Sequence, residues 1–481
     1  MRRALLLLIL VAGLAAATGS SAETSRSLTG TWTGSFRLPL GTEGVGIAVQ
    51  IRGSKAVVVL PPGHSAQTTV PARTTRGRLS FRLPGRPAPV VFNGLLRKKT
   101  ISGTVRQGAL RGTFRLHRGR MPDWDRFGIY TFGDGRAIGL LDTPFSPPTA
   151  AEFDSGELHA VYPLQRGTYE IGAALAIRRP SIGTATFGPS TLVWRRAGAP
   201  DERATRMPLR QEEVRFRSVR GAWIAGTLTM PAGAGQHPAV AVVHGSGVAH
   251  RATTGPVGSF FARHGFAVLA YDKRGVRQSG GVYPGERADE STIDILARDA
   301  EAAARFLAAQ PGVDDARVGL WGASQAGWIM PLAASREASI RFLVLLISPL
   351  ETPGENGVYQ ELTGGGRQPP SMTPEQIDAE VRRRGPSGFD PVPVIRSLRI
   401  PALWVFGGLD MHVATRISVE LLRPIAQEAG RDFSWVVLPG ANHSLVPTTQ
   451  GLDEETPRAD RFAPGFLTTV RDWLRARAIL R

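Results

Sequence analysis

The sequence predicts an α/β fold, a mostly parallel sheet with helices on both faces, preceded by a β-rich barrel or sandwich region. Three observations predict it. From Arg210 onward short apolar runs alternate with amphipathic helical stretches, the pattern of parallel strands joined by crossover helices. Within that region the apolar strand Arg317–Trp321 runs into Gly322-Ala323-Ser324-Gln325-Ala326-Gly327 and then into a helix. Ahead of it, from Leu28 to His117, short β-rich runs recur with turn signals about every ten residues.

At 481 residues the chain is longer than the roughly 250–300 residues that one hydrophobic core serves, so two or three domains are expected. Arg2-Arg3, the apolar run Ala4–Ala17 and Ser20-Ser21-Ala22 have the basic, apolar and small-residue parts of a signal peptide over 1–22. The mature chain is therefore expected to begin near Glu23 and to be secreted or periplasmic. The apolar run is shorter than the roughly 20 residues of a spanning helix, so no transmembrane segment is expected in the mature chain. There are no cysteines, which excludes disulfides, thiolate metal ligands and a cysteine nucleophile.

The net charge of +18 is uneven. Between Glu23 and Arg120, 17 lysines and arginines stand against two acids, Glu23 and Glu43, a local +15, while the chain after Arg120 is close to balanced. Strand candidates in this basic module, 23–120, are Gly30–Phe36, Gly46–Ile51, Ala56–Leu60, Leu79–Leu83, Val90–Phe92, Ile101–Val105 and Leu110–Leu116. Arg73, Arg76, Arg78, Arg82, Arg106, Arg111 and Arg115 sit in or beside strands, where alternate residues face solvent. An anionic envelope polymer is the partner expected from this charge. Nucleic acid is not expected, because the sequence carries no helix-turn-helix, RNA-recognition or zinc signature.

Residues 121–206 read as a β-rich extension with strands at Phe127–Phe132, Ala137–Leu141, Glu157–Tyr162 and Thr191–Trp194, and with Arg195–Met207 as the linker. In the last region, 207–481, Val214–Val219 and Trp223–Thr229 form an entering hairpin, and Ala239–Val243 and Ala267–Tyr271 are apolar enough for strands buried on both faces. Helix Thr292–Ala309, strands Arg317–Trp321, Phe342–Ile347, Ala402–Phe406 and Phe433–Leu438, and helix Phe466–Ile479 complete it. The alternation breaks at about 349–399, where Thr373, Pro374 and Gln376 start one clear helix, Thr373–Arg384. That insertion is expected to cap a crevice at the carboxyl ends of the strands.

The strand–serine–helix junction reads as a nucleophile elbow, in which strain lifts the serine hydroxyl above the sheet and small residues two before and two after let strand and helix pass. Alanine at 326 departs from Gly-x-Ser-x-Gly, with Gly327 next to it relieving the crowding. A serine needs a histidine to take its proton, and that histidine needs a carboxylate to fix its tautomer. Asp410 follows strand Ala402–Phe406 and His443 follows strand Phe433–Leu438, so both fall on the rim of Ser324 in the order Ser, acid, His. An oxyanion needs two N–H donors. Gln325, at the start of the helix after the serine, supplies one, and the turn His244-Gly-Ser246-Gly247 supplies the other from Ser246 or Gly247. His250, His264 and His412 lack such placement and read as structural. Trp328, Ile329, Met330, Val358 and Tyr359 are the apolar neighbours available to a pocket. No metal or cofactor is expected.

With these pieces and Tyr271-Asp-Lys-Arg-Gly275, the stretch 210–481 resembles secreted bacterial α/β-hydrolases of the prolyl-oligopeptidase-like and dienelactone-hydrolase-like group, and 28–117 is similar to a β module that precedes some of them. The resemblance implies an α/β-hydrolase fold, Ser324, Asp410 and His443 as a triad, and hydrolysis of esters, thioesters or peptides. Carboxylic ester cleavage through an acyl-enzyme is the expectation; a serine peptidase or thioesterase on the same triad, or an envelope-binding protein without activity, are the alternatives. Tyr271–Gly275 is expected to be structural, with Asp272 and Arg274 as candidates for a buried ion pair.

Overall fold

The computed structural model describes residues 27–37, 45–59, 67–84, 88–119, 126–141, 148–165, 167–175, 177, 180–251, 255–285 and 288–480; the leader expected at 1–22 lies outside them. Eight antiparallel strands close a first barrel: β1 (Gly30–Arg37), β2 (Val45–Arg52), β3 (Lys55–Val59), β4 (Gln67–Thr75), β5 (Arg78–Leu83), β6 (Val90–Arg97), β7 (Thr100–Gln107) and β8 (Leu110–Arg118), with β8 paired back to β1. Its sequence dictates this by alternation: in β5, Leu79, Phe81 and Leu83 are buried while Arg78 and Arg82 are exposed. The buried rings meet at the centre, with Phe81 stacked on Phe92 at 4.6 Å and Phe36 edge-on to Phe92 at 5.2 Å.

Residues 128–206 form a second closed barrel and no linker: β9 (Gly128–Phe132), β10 (Ala137–Leu141), β11 (Thr149–Glu152), β12 (Leu158–Gln165), β13 (Thr168–Ile171), β14 (Gly183–Phe187), β15 (Thr191–Arg196) and β16 (Glu202–Arg206). The presumed linker Arg195–Met207 holds β16, which closes the barrel against β9. Its sequence, Glu-Arg-Ala-Thr-Arg, hides a strand because only Ala204 points inward. Strand β10 is buried along its whole length. Ile138 and Leu140 face the barrel interior, while Ala137 and Leu141 face out onto Phe260 and Phe261 of the next region, so this barrel is docked on the larger domain.

That domain is one eight-stranded sheet of β17 (Leu209–Arg217), β18 (Trp223–Pro231), β19 (His237–Val243), β20 (Ala267–Tyr271), β21 (Val313–Ala323), β22 (Phe342–Leu346), β23 (Ala402–Gly407) and β24 (Phe433–Leu438), in the order β17-β18-β20-β19-β21-β22-β23-β24. β17 and β18 pair antiparallel, β18 runs antiparallel to β20, and the rest are parallel. Helices α2 (Glu290–Ala308) and α3 (Ala326–Ala334) pack Leu296, Ala300 and Met330 on one face of it. Helices α1 (Gly255–Arg263) and α8 (Phe466–Ala476) pack Phe261, Trp473 and Leu474 on the other. Helices on both faces of a mostly parallel sheet make this an α/β fold, the class expected from the sequence.

The insertion contains three helices where the sequence showed one: α4 (Pro353–Leu362), α5 (Pro374–Arg384) and α6 (Pro391–Ser397), with α7 (Thr415–Ala426) beside them. Both α4 and α5 begin with a capping box after a threonine, Thr352 with Glu355 and Thr373 with Gln376, each with proline at the first turn. Gly354 and Gly357 weaken the helical signal of α4, which is why it was missed. A small core of Ile377, Val381, Ala414 and Ile417, with Val358 and Tyr359 against it, ties the insertion to α7. Trp328, Ile329 and Met330, expected as pocket neighbours, are buried in the main core, and Trp328 Nε1 donates to Glu351 O at 2.9 Å. Among the described residues no helix is long and apolar enough to cross a membrane.

Candidate active site

Ser324 ends β21 with φ at 59°, a left-handed conformation in which a side chain costs of the order of 1–3 kcal/mol. Its N–H still reaches Leu346 O, at 3.1 Å, so the neighbouring strand holds the turn in place. A Cβ at Gly322 would lie 2.6 Å from Ala326 Cβ and 2.8 Å from Val243 O. Alanine at 326 is accommodated because 322 is glycine. Gly327 serves a different contact from the one expected: a Cβ there would meet Ser348 Cβ at 2.7 Å and Pro349 at 3.0 Å, so it lets α3 pass the end of β22.

Asp410 and His443 are brought together. His443 Nδ1–H donates to Asp410 Oδ2 at 2.8 Å and Oδ1 at 3.0 Å. The backbone N–H groups of His412 and Val413 also donate to Oδ1, at 2.8 and 3.0 Å. The carboxylate is fully buried and the imidazole one-fifth exposed, so the acid is an acceptor only and leaves Nε2 free to take a proton. The other nearby acids are engaged elsewhere, Asp432 with Arg477 and Asp453 with His412. Ser324, Asp410 and His443 follow β21, β23 and β24, parallel strands two and three places apart, so they share one rim. Among the described residues no hydrogen bond joins Ser324 Oγ to His443.

Gln325 is the N-cap residue of α3 and is buried. The turn after β19 abuts the serine: a Cβ at Gly245 would be 3.4 Å from Ser324 Cβ. Ser246 and Gly247 follow at once, the latter at φ 90°. Beneath this turn lies Lys273, which the sequence reading passed over. It is 2 % exposed, and its Nζ donates to Gly245 O at 2.7 Å, Gly247 O at 3.2 Å and Gln325 Oε1 at 3.0 Å. One amine thus joins the turn after β19 to the residue after Ser324, the two segments expected to supply oxyanion donors. The available signal was position: Lys273 follows β20, the immediate neighbour of β19, at the same carboxyl edge.

Asp272 and Arg274 do not pair with each other. Asp272 is held by Arg251 through Nε at 3.1 Å and Nη2 at 2.9 Å, and Arg274 by Asp299 and Ser218. The strand ends at Tyr271 and the chain turns at Arg274–Gly275, so strand alternation no longer sets where the two side chains point. Burial alone would raise the Asp272 carboxyl, but the Arg251 hydrogen bonds and charge outweigh it and hold it below the ordinary range. His244 is a packing residue bonded to Tyr271 O; burial pulls it down to about 4 and keeps it neutral. His412 is no bystander, for its ring lies 4.6 Å from that of His443. Burial pulls His412 down, yet its bond to Asp453, at 3.1 Å, and the charges of Asp453 and Asp410 leave it above its usual value.

The cap fastens the acid loop. Tyr359 Oη donates to Asp410 O at 2.8 Å, Asn356 Nδ2 to His412 O at 2.9 Å, and Thr363 Oγ1 to Met411 O at 2.6 Å. The group with metal-ligand spacing among the described residues, Glu152, Glu157 and His159, lies in the second barrel away from this rim. Arg196 already serves it, 3.4 Å from Glu157 and 3.8 Å from Glu152.

A family profile described as serine aminopeptidase, S33, matches residues 235–363, from just ahead of β19 through the Ser324 turn to the end of α4. A polyketide transferase of Penicillium crustosum, claH, is 24 % identical over 259 residues, covering 50 % of this chain and 83 % of that one. A thiohydrolase of Aspergillus aculeatus, aneE, is 31 % identical over 138 residues, 29 % of this chain and 41 % of that one. The chain is an enzyme of the hydrolase kind. Among solved structures, the hydrolase resembles the Pyrococcus furiosus esterase Pf2001 with a TM-score of 0.41 at 17 % identity, over 56 % of this chain and 91 % of that one.

Proposed function

We propose that this hydrolase cleaves carboxylic esters through an acyl-enzyme, outside the cytoplasm. The observation that carries the reading is the buried Asp410 carboxylate clamped on His443 Nδ1, on the same rim as a serine held in a strained turn. His443 Nε2 takes the proton of Ser324 Oγ as the oxygen attacks the ester carbonyl. The resulting oxyanion is held by Gln325 N–H and by an N–H of Ser246 or Gly247. The tetrahedral intermediate collapses, His443 returns the proton to the departing alcohol, and water then repeats the sequence to release the acid. The Ser324–His443 bond tightens only with substrate present, as is common for such pairs.

An ester is favoured over a peptide by what surrounds the rim. The region ahead of the sheet forms two eight-stranded barrels and not a ring of blades over the site, and amide cleavage needs tighter positioning than an ester's better leaving group. The names of the curated relatives, a thiohydrolase and a polyketide transferase, favour thioesters as the second reading. The basic-then-apolar stretch before Glu23 supports export.

The test is labelling with a fluorophosphonate followed by rates on matched oxoesters, thioesters and aminoacyl amides. Labelling is expected on Ser324 alone and oxoesters are expected to have the highest kcat/KM. Undiminished labelling of Ser324→Ala would remove the nucleophile; a preference for amides would remove the esterase reading and leave the nucleophile in place.

A further inference from the structure

We propose that the outer face of β5–β8 in the first barrel binds an extended, linear polyanion. Register places six arginines on it. Arg82, Val91, Arg106 and Arg111 form one cross-strand row, and Arg78, Leu95, Ser102 and Arg115 form another. Between them runs a polar lane of Ser80, Asn93, Thr104 and Thr113, with Arg73 beside Ser80. All six arginines are exposed.

Arg106 sits directly opposite Arg111, an arrangement that costs stability unless an anion lies across it. Over residues 23–120 the module carries two acids, Glu23 and Glu43, against 17 lysines and arginines, and no acid lies on β5–β8. The two rows stand four residues apart along each strand, roughly 13 Å at about 3.3 Å per residue, and span four strands, roughly 14 Å at about 4.8 Å spacing. A single extended chain fits such a lane with arginine forks on both sides, each able to grip an oxyanion in bidentate fashion. Three features choose among anionic partners. The aromatic rings of these strands, Phe81, Phe92 and Phe114, are buried, so the face offers no platform for stacking bases. Among the described residues the exposed large hydrophobics are Leu164, Trp223, Val248 and Val282, none in this barrel, so it has nothing to insert into a lipid surface. Ala48 of β2 packs into the core of the second barrel, and β2 lies half-way round from β6, so the arginine face points away from the rest of the protein.

The experiment uses the mature full chain and fluorescent long-chain inorganic polyphosphate, read by anisotropy from 25 to 300 mM salt. The wild type is expected to bind at low salt with a steep log–log slope. The triple variant Arg82→Gln, Arg106→Gln, Arg111→Gln is expected to bind at least tenfold more weakly, with a slope shallower by roughly 2–3. A charge-matched control, Arg203→Gln, Arg210→Gln, Arg215→Gln, should keep the wild-type slope, and all three proteins should hydrolyse esters alike. No binding by the wild type at 25 mM salt, equal losses in both triple variants, or binding to anionic vesicles or oligonucleotides in clear preference to polyphosphate would each overturn the proposal.

Discussion

Replacing Lys273 by methionine is expected to damage the reaction without touching a residue of the triad. The amine holds Gly245 O, Gly247 O and Gln325 Oε1. In a trans peptide the N–H points opposite to the C=O, so holding the two backbone carbonyls on Nζ turns the N–H groups of Ser246 and Val248 away from the amine. Methionine fills the stem's volume and removes three hydrogen bonds. At a net of roughly 1 kcal/mol each, the fold should lose about 2–4 kcal/mol. Losing one oxyanion donor outright lowers kcat by roughly 10²–10³. Here the donors remain but lose their anchor, so a fall in kcat of about 10–10² is expected, with KM changed less than about threefold, because the ground-state carbonyl asks little of the site. Phosphonylation of Ser324 by the fluorophosphonate should slow by a similar factor, since attack on phosphorus with loss of fluoride also builds negative charge on the phosphoryl oxygen. Gln325→Leu, which removes one of the three acceptors, should give the same pattern in milder form and guards against a methionine variant that does not fold. A folded Lys273→Met enzyme with unchanged kcat, or one in which only KM moves, would reduce Lys273 to a buried strut.

Asp410→Asn should lower turnover by roughly 10⁴ by favouring the wrong tautomer of His443, measured as kcat on a short-chain ester; an unaffected rate would move the role to another acid. Asp272→Asn tests the Arg251 contact. The native carboxyl is depressed, so its stabilisation is present above the unfolded value near 4 and lost as pH falls through the lower folded value. The variant should be less stable than wild type at pH 7, and the gap should close under strongly acidic conditions in denaturant melts. His412 has the opposite sign, raised in the folded state, so its contribution is complete below its ordinary value of 6.5 and fades as pH rises through the folded one. The difference in Tm between wild type and His412→Asn should be larger at pH 6 than at pH 9; a gap that grows with pH would contradict the Asp453 contact.

What the sequence disclosed follows from how local each signal is. Ser324, Asp410 and His443 could be placed on one rim because each follows a short apolar run, and such runs show strand ends clearly. Strand β16 could not, because in a closed barrel only one face of a strand is apolar, and a five-residue strand leaves a single buried alanine to show it. Helix α4 was hidden by its glycines, although its Thr-Pro-x-Glu start repeats the Thr-Pro-x-Gln start of α5 that was recognised. Partners across the fold were hidden for a different reason. Asp272 and Arg274 are near in sequence and were matched on that ground, but the side chains that meet them come from residues 251 and 299, and nothing local encodes those distances.

The same reasoning locates where function is concentrated in this domain. Lys273 and Tyr359 each bond to a segment of the candidate site from an element that supplies none of its three residues, and His412, in the acid loop itself, lies against His443 beyond the next strand. None has a motif of its own, and all three acquire meaning only when the sheet order sets β20 beside β19 and the cap over the loop after β23. The three candidate residues thus follow strand ends, whereas the contacts that hold them come from elements far apart in the chain. Substitutions in the cap are therefore expected to act on the acid loop as well as on substrate fit: Tyr359, through its bond to Asp410 O, links the residue that would line an acyl pocket to the carboxylate that holds His443.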